Sequence, residues 1–255
     1  MGIAITLANQ KGGTGKTTTA LNLAVYLAAY GKKVLIVDVD PQANATSTFV
    51  NTNALGAHVY HTLAGGILPE DVIKPTGLFS LDVLPAHPDL AGATVELVNQ
   101  ENREFKLYDT IERVRDDYDF ILIDCPPSLG LLTLNAVVAA DQVLIPVQSE
   151  YYALEGLSQL LGTINLVRDN LGKNVKILGA VCTMYDRRNR LSRAVLKDIR
   201  RNFPGYVFDA VIPRNISLAE APGYGKTIYQ FDPSGKGANA YRQLAKEVIQ
   251  RVNSL

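Results

Sequence analysis

The residues most able to do chemistry in this 255-residue chain lie in one stretch, Asn9-Gln10-Lys11-Gly12-Gly13-Thr14-Gly15-Lys16-Thr17-Thr18. Glycines so placed let backbone N–H groups turn inward around phosphate oxygens, and a helix beginning at about Lys16 adds the partial positive charge of its N-terminus. Lys16 would reach the β- and γ-phosphates of a bound nucleotide, and the Thr17 hydroxyl would bind Mg²⁺. The general pattern G-x-x-x-x-G-K-[ST] is broken all the same, because Gln10 occupies its first glycine position. What stands there instead is a second lysine, Lys11, directly ahead of the glycines.

Two other segments end in acids. Val34-Leu35-Ile36-Val37-Asp38-Val39-Asp40-Pro41 reads as a buried strand whose alternation points Asp38 and Asp40 the same way, with Pro41 ending it. Phe120-Ile121-Leu122-Ile123-Asp124-Cys125-Pro126-Pro127 repeats the logic with one acid at the tip. Acids at the C-terminal edge of parallel strands face the crevice where such sheets bind ligands. The plainer alternative is that each caps nearby N–H groups.

These groups need a scaffold, and the hydrophobic pattern supplies one. Ile3–Ala8, Lys33–Val37, Leu81–Leu84, Phe120–Ile123, Gln142–Val147, Lys176–Cys182 and Val207–Ile212 read as strands. Several are apolar at consecutive positions, as strands buried on both faces of a parallel sheet are. Helical patterns fall between them at Lys16–Tyr30, Lys106–Asp117, Leu131–Ala139, Ala153–Asn170 and Ser192–Asn202, with a closing helix at Ala238–Val252. The alternation predicts an α/β fold, doubly wound, with a mostly parallel sheet and helices on both faces. Residues 1–255 are expected to form a single domain, with Asn51–Pro75 an irregular surface excursion and no N-terminal helix-turn-helix extension.

Lys+Arg and Asp+Glu both number 25, a balance that argues against a wholly basic nucleic-acid coat and leaves a local patch open. Cys125 and Cys182 are too few for a disulfide framework and form no Cys-x-x-Cys pair, which suits a reducing, cytoplasmic setting. No apolar run reaches the length of a membrane span.

The Lys-Gly-Gly-Thr-Gly-Lys-Thr arrangement resembles the deviant phosphate loop of the ParA/MinD family of dimeric ATPases. Asp38-Val39-Asp40-Pro41-Gln42-Ala43-Asn44-Ala45-Thr46 is similar to that family's D-x-D-P-Q-G-N-A-T stretch, with Ala43 where glycine is usual. Asp124-Cys125-Pro126-Pro127-Ser128-Leu129-Gly130-Leu131-Leu132-Thr133 looks like the chromosomal ParA proteins often called Soj, as do Ile212-Pro213-Arg214-Asn215, Glu220-Ala221-Pro222 and Tyr241-Arg242-Gln243-Leu244-Ala245-Lys246-Glu247. The resemblance spans nearly the whole chain.

It implies an ATPase, slow without its partner, that uses ATP and Mg²⁺. Lys11 would reach across a dimer interface to the partner's nucleotide. Asp124 would hold Mg²⁺ through a bound water, Asp40 would position or activate the attacking water, and Asp38 would be a structural or supporting acid, with a metal contact as the alternative. Pro213 and Asn215 would lie along the adenine. It further implies a homodimer when ATP is bound, binding of double-stranded DNA without sequence preference, release triggered by a ParB-like activator, and a nucleoid-associated location.

The sequence carries one feature suited to DNA. Arg187, Arg188, Arg190, Arg193, Lys197 and Arg200 form the densest positive cluster in a neutral chain, and Arg193, Lys197 and Arg200 fall on one helix face after Ser192 as N-cap. Such a patch neutralises phosphates without reading bases. A solvated helix face is the bland alternative, and Ser217 stands where relatives often carry a basic residue. Two other functions compete. A MinD-like membrane cycler needs an amphipathic basic tail, which Val252-Asn253-Ser254-Leu255 after a core-facing helix does not supply. An iron–sulfur protein needs cysteines that are missing. A ParA-like positioner of non-DNA cargo is indistinguishable by sequence.

Overall fold

The computed structural model describes residues 1–150, 153–252 and 254, and gives backbone alone for 93–94 and 153–156. The C-terminal residues Asn253 and Leu255 thus lie outside the described residues. Among those described, the strands are β1 (Ile3–Leu7), β2 (Val34–Asp38), β3 (Lys74–Pro75), β4 (Leu81–Leu84), β5 (Phe120–Asp124), β6 (Gln142–Gln148), β7 (Lys176–Tyr185) and β8 (Val207–Pro213). They form an 8-stranded sheet in the order β3-β4-β2-β5-β1-β6-β7-β8, parallel throughout except where β3 pairs with β4.

Alternate residues of the central strands feed two apolar layers. On β5, Ile121 and Ile123 pack with the helices Lys106–Val114, Leu131–Ala139 and Ala153–Leu171, whereas Phe120 and Leu122 pack with Lys16–Ala29 and Lys236–Val252. That two-sided burial explains why the strands read as unbroken apolar runs. It also fixes which way each strand tip projects. β2 and β5 run in register, so Asp38 lies directly beside Asp124 at the C-terminal edge of the sheet.

Two local expectations need correction. The segment Asn51–Pro75 is not irregular. It holds a short 3₁₀ turn at Thr52–Ala54, helices at Val59–Leu63 and Pro69–Val72, and β3. Val59, Leu63 and Val72 anchor it in the core. Helices this short have too few turns to show a periodicity, which is why the pattern hid them. Ser192 is not an N-cap either. The basic helix runs Arg190–Asn202 and is capped by Asn189, whose side chain accepts from the Leu191 N–H at 2.9 Å. Ser192 is buried, its hydroxyl 3.3 Å from that of Ser149, which ties the helix to the end of β6.

Candidate nucleotide site and basic helix

The loop between β1 and the helix Lys16–Ala29 is held from both sides. Asn9 donates through Nδ2 to the Pro146 carbonyl at 2.8 Å, while its Oδ1 accepts from the Lys11 N–H at 3.0 Å. From β7, the Thr183 hydroxyl donates to the Thr14 carbonyl at 2.8 Å. Gly13 and Gly15 have φ of 74° and 85°, a left-handed region that a side chain would strain. Gly15 is the residue from which the helix starts. Loop amides and a helix N-terminus therefore converge on one point, the arrangement that favours an anion.

That point opens into a cleft of about 320 Å³ lined by Gly12, Gly13, Lys16, Thr17, Thr18 and Asp40, among others. A second hollow of about 170 Å³ continues from it past Gly15, Thr18 and Met184 to Pro213, Asn215 and Tyr241. The Asn215 side-chain oxygen is committed to the Leu218 N–H at 3.1 Å, where it caps the short helix Ile216–Glu220. The structure thus brings together the phosphate loop, Asp40, Pro213 and Asn215 along one continuous crevice. A larger and mostly apolar groove of about 690 Å³, between Leu129–Leu134 and the helix Ala153–Leu171, lies apart from it.

The acids have distinct surroundings. Asp38 is fully buried and spent: its Oδ1 accepts from the Asp40 N–H at 3.0 Å, and its Oδ2 accepts from the Thr46 N–H and hydroxyl at 2.8 and 2.7 Å. This clamp holds the β2 tip to the helix Asn44–Phe49, which Ala43 enters at φ 51°. A left-handed entry explains why glycine would suit position 43. Asp40 accepts from the Gln42 N–H at 2.9 Å through Oδ1 and turns toward the phosphate cleft. Asp124 differs from both. It is fully buried, and neither of its carboxylate oxygens has a hydrogen-bond partner. Burial, and then the charge of Asp38, push its carboxyl well above the usual range; the nearby Thr17 hydroxyl and, behind Asp40, Lys16 offset part of that rise. Burial also pushes Asp38 up to about 6, against the pull of its Thr46 bonds.

The two lysines part company. Lys16 is buried and folds back over the loop, its Nζ 3.4 Å from the Lys11 carbonyl. Lys11 is not part of the cleft lining, and its Nζ lies 3.0 Å from Glu150 Oε2 in a pair whose side chains are 36% and 45% exposed. Glu150 also faces Arg214 at 3.8 Å. Glu150, beside Lys11, and Met184, in the lining of both hollows, belong to no motif that the sequence announced. Met184 holds φ 52°, an uncommon conformation for a residue with a side chain, and lines both hollows.

Arg187 and Arg188, in the turn after β7, and Arg190, Arg193, Lys197 and Arg200, on the helix Arg190–Asn202, are all exposed, and the opposite face of that helix buries Ser192, Val195 and Ile199. Arg188 pairs with Asp186 at 3.1 Å, and Arg200 faces Asp209 at 3.8 Å. These cations lie outside the crevice. They follow directly on the β7 tip, which carries Thr183 and Met184, so the basic helix and the phosphate loop share one strand as support.

A family model described as an AAA domain matches residues 2–177. The chain is 53% identical over 249 residues to the chromosome-partitioning ATPase Soj of Thermus thermophilus, covering 97% of this chain and 96% of that one. It is 50% identical over 249 residues to the sporulation initiation inhibitor protein Soj of Bacillus subtilis, covering 97% and 98%. Among solved structures it resembles cobyrinic acid a,c-diamide synthase from Mycobacterium smegmatis with bound ADP and magnesium, at a TM-score of 0.88 and 36% identity over 100% of this chain and 96% of that one.

The unpartnered carboxylate makes a testable statement about stability. Acids with raised folded pKa bind more protons folded than unfolded, so stability without nucleotide or metal should fall as pH rises from near 4 through about 6. Asp124→Asn removes the group whose ionisation the fold resists and should raise stability at pH 7 relative to the parent. Urea unfolding across pH would show a gain that shrinks toward acid; a variant less stable than the parent at pH 7 would contradict the assignment.

Proposed function

The chain belongs to the ParA/Soj family of chromosome-partitioning ATPases, and we propose that it is a DNA-segregation ATPase in which ATP closes a homodimer and Lys11 of each protomer completes the partner's site. The observation that carries this reading is the parting of the lysines. Lys16 is buried within its own loop, whereas Lys11 stands outside its own cleft in a half-exposed pair with Glu150. An exposed ion pair of this kind is worth little, about 0–1 kcal/mol, so exchanging it for a phosphate contact costs little.

In the proposed reaction, water attacks the γ-phosphorus in line and the β-phosphate oxygen leaves, giving ADP and phosphate. Gly12, Gly13, Thr14, Gly15, Thr17 and Thr18 would cradle the phosphates through backbone and hydroxyl donors, and Lys16 would neutralise the transferred group. Asp40, at the cleft wall, would orient the water and accept its proton. The crevice past Thr18 to Pro213 and Asn215 would take the adenine, with Asn215 still free to donate through Nδ2. Thr17 and Asp124 fit a hard divalent cation, being oxygen donors only, with the Thr17 hydroxyl the neighbouring donor to two buried, otherwise unpartnered carboxylate oxygens. Bound Mg²⁺ would draw charge from the phosphates; the residues would hold it and set its place.

The exposed arginines after β7 would grip duplex DNA through phosphates, without reading bases. Their common support with the phosphate loop gives nucleotide a route to the DNA surface. A ParB-like partner would stimulate hydrolysis and so release the DNA, with the protein working in the cytoplasm on the nucleoid. The helix Lys236–Val252 buries Tyr241, Leu244, Ala245, Val248 and Val252 in the core, which leaves it no apolar face for a lipid surface. No helix among the described residues is long and apolar enough to cross a membrane. Cys125 and Cys182 are buried and their thiols pushed up to about 12, which disfavours a cluster-ligand role.

Lys11→Ala should still bind ATP but fail to dimerise with it, read by light scattering after size-exclusion chromatography; normal ATP-dependent dimers would refute the dimer reading while leaving the phosphate site standing. Charge reversal at Arg187, Arg190 and Arg193 should weaken duplex binding and lower the slope of log affinity against log salt by roughly 0.9 for each DNA phosphate no longer neutralised. Unchanged affinity in fluorescence anisotropy would remove this helix from the DNA surface.

A further inference from the structure

All 3 histidines of the chain gather at one corner, away from the nucleotide crevice. The Val59 N–H donates to the Pro85 carbonyl at 2.8 Å, which pins the start of the helix Val59–Leu63 to the segment after β4. His58 and His87 thereby stack with ring centroids 4.8 Å apart, and His61 meets His58 edge-on at 4.4 Å. Asp89 closes the group: its Oδ2 lies 3.8 Å from His58 Nε2 and 3.0 Å from His87 Nδ1. Donor atoms of His58, His87 and Asp89 all fall within 4.8 Å of one another.

We propose that His58, His87 and Asp89 form a binding site for a divalent transition ion of the zinc class, with water at the remaining position. Two imidazoles and one carboxylate are the ligand types that zinc takes in open sites. Zinc bonds of about 2.0–2.2 Å in a tetrahedral array place donors roughly 3.3 Å apart, and the two distances to Asp89 bracket that spacing. Burial is graded in the way an entry path requires, from 4% exposure of the His58 side chain through 29% for His87 to 68% for Asp89. Asp89 can therefore swing to close on an ion while His58 stays fixed. At His58 it is Nε2, the ring nitrogen facing Asp89, that would take the ion, and the ring is buried and so held in place.

The position also gives the ion something to hold. Ala86, next to His87, donates its N–H to the Thr46 hydroxyl at 2.8 Å, and Thr46 in turn holds Asp38. Binding would fasten the segments 58–63 and 85–89 behind that clamp without touching the phosphate cleft.

Calorimetric titration of the full chain with zinc chloride, in excess Mg²⁺ so that the acids of the crevice are already challenged, tests the site. One equivalent should bind, and His87→Ala and Asp89→Asn should each weaken binding by roughly tenfold or more, since even outer-shell changes cost that much. Cobalt substituted for zinc should show the visible absorption of a tetrahedral nitrogen–oxygen site, lost in both variants. Because His58 is buried, the partly exposed His87 and Asp89 carry the test, with circular dichroism checking that each variant folds. No saturable zinc binding, or binding unchanged in both variants, would overturn the proposal.

Discussion

A fully buried carboxylate with no hydrogen-bond partner, Asp124, is the constraint around which the nucleotide edge of this protein is built. Ionising such a group is costly, and burial holds its proton on to well above the usual carboxylate range. The sheet holds it because β5 is central, flanked in register by β1 and β2, so its tip has no freedom to turn outward. Asp38 beside it is satisfied by Thr46 and by the Asp40 N–H, and the strand tip is thereby fixed while its neighbour stays unsatisfied. In the proposed function this apparent misfit is what a bound cation would relieve.

The rest of the edge follows from the same geometry. The phosphate loop is strapped to β6 by Asn9 and to β7 by Thr183, so strands distant in sequence act on one anion site. β7 then passes directly into the turn and helix that carry the exposed arginines. The Lys11 side chain is the one lysine of the loop not drawn over it, held instead by a half-exposed pair with Glu150. The proposed role of Lys11 in a second protomer requires a group weakly bound in its own, and a half-exposed ion pair is compatible with that.

Much of this was legible in the amino-acid sequence, for physical reasons. Strands buried on both faces leave unbroken apolar runs, and a glycine-lysine loop between a strand and a helix leaves a motif, so β1, β2, β5 and the loop could be read directly. The failures share a cause in long-range contact. Glu150 lies 139 positions from Lys11 and acquires its role only when β6 lies beside β1. His58 and His87 meet only because the Val59 N–H finds Pro85. Ser192 has the right residue type for a cap, but tertiary packing drew it inward to Ser149 and left the capping to Asn189. The short helices between Asn51 and Pro75 are held by burial of single residues rather than by any periodicity of their own.

The central claim, that the Asp124 carboxylate is unsatisfied until a cation and nucleotide arrive, is tested most directly by its own titration. Carbon-13 NMR of the aspartate carboxyls, assigned through Asp124→Asn and followed across pH, would report it in each state. Without ligand the Asp124 resonance should titrate well above the ordinary aspartate range; with Mg²⁺ and a non-hydrolysable ATP analogue it should stay ionised to distinctly lower pH. The same midpoint in both states, or an ordinary value without ligand, would contradict the account.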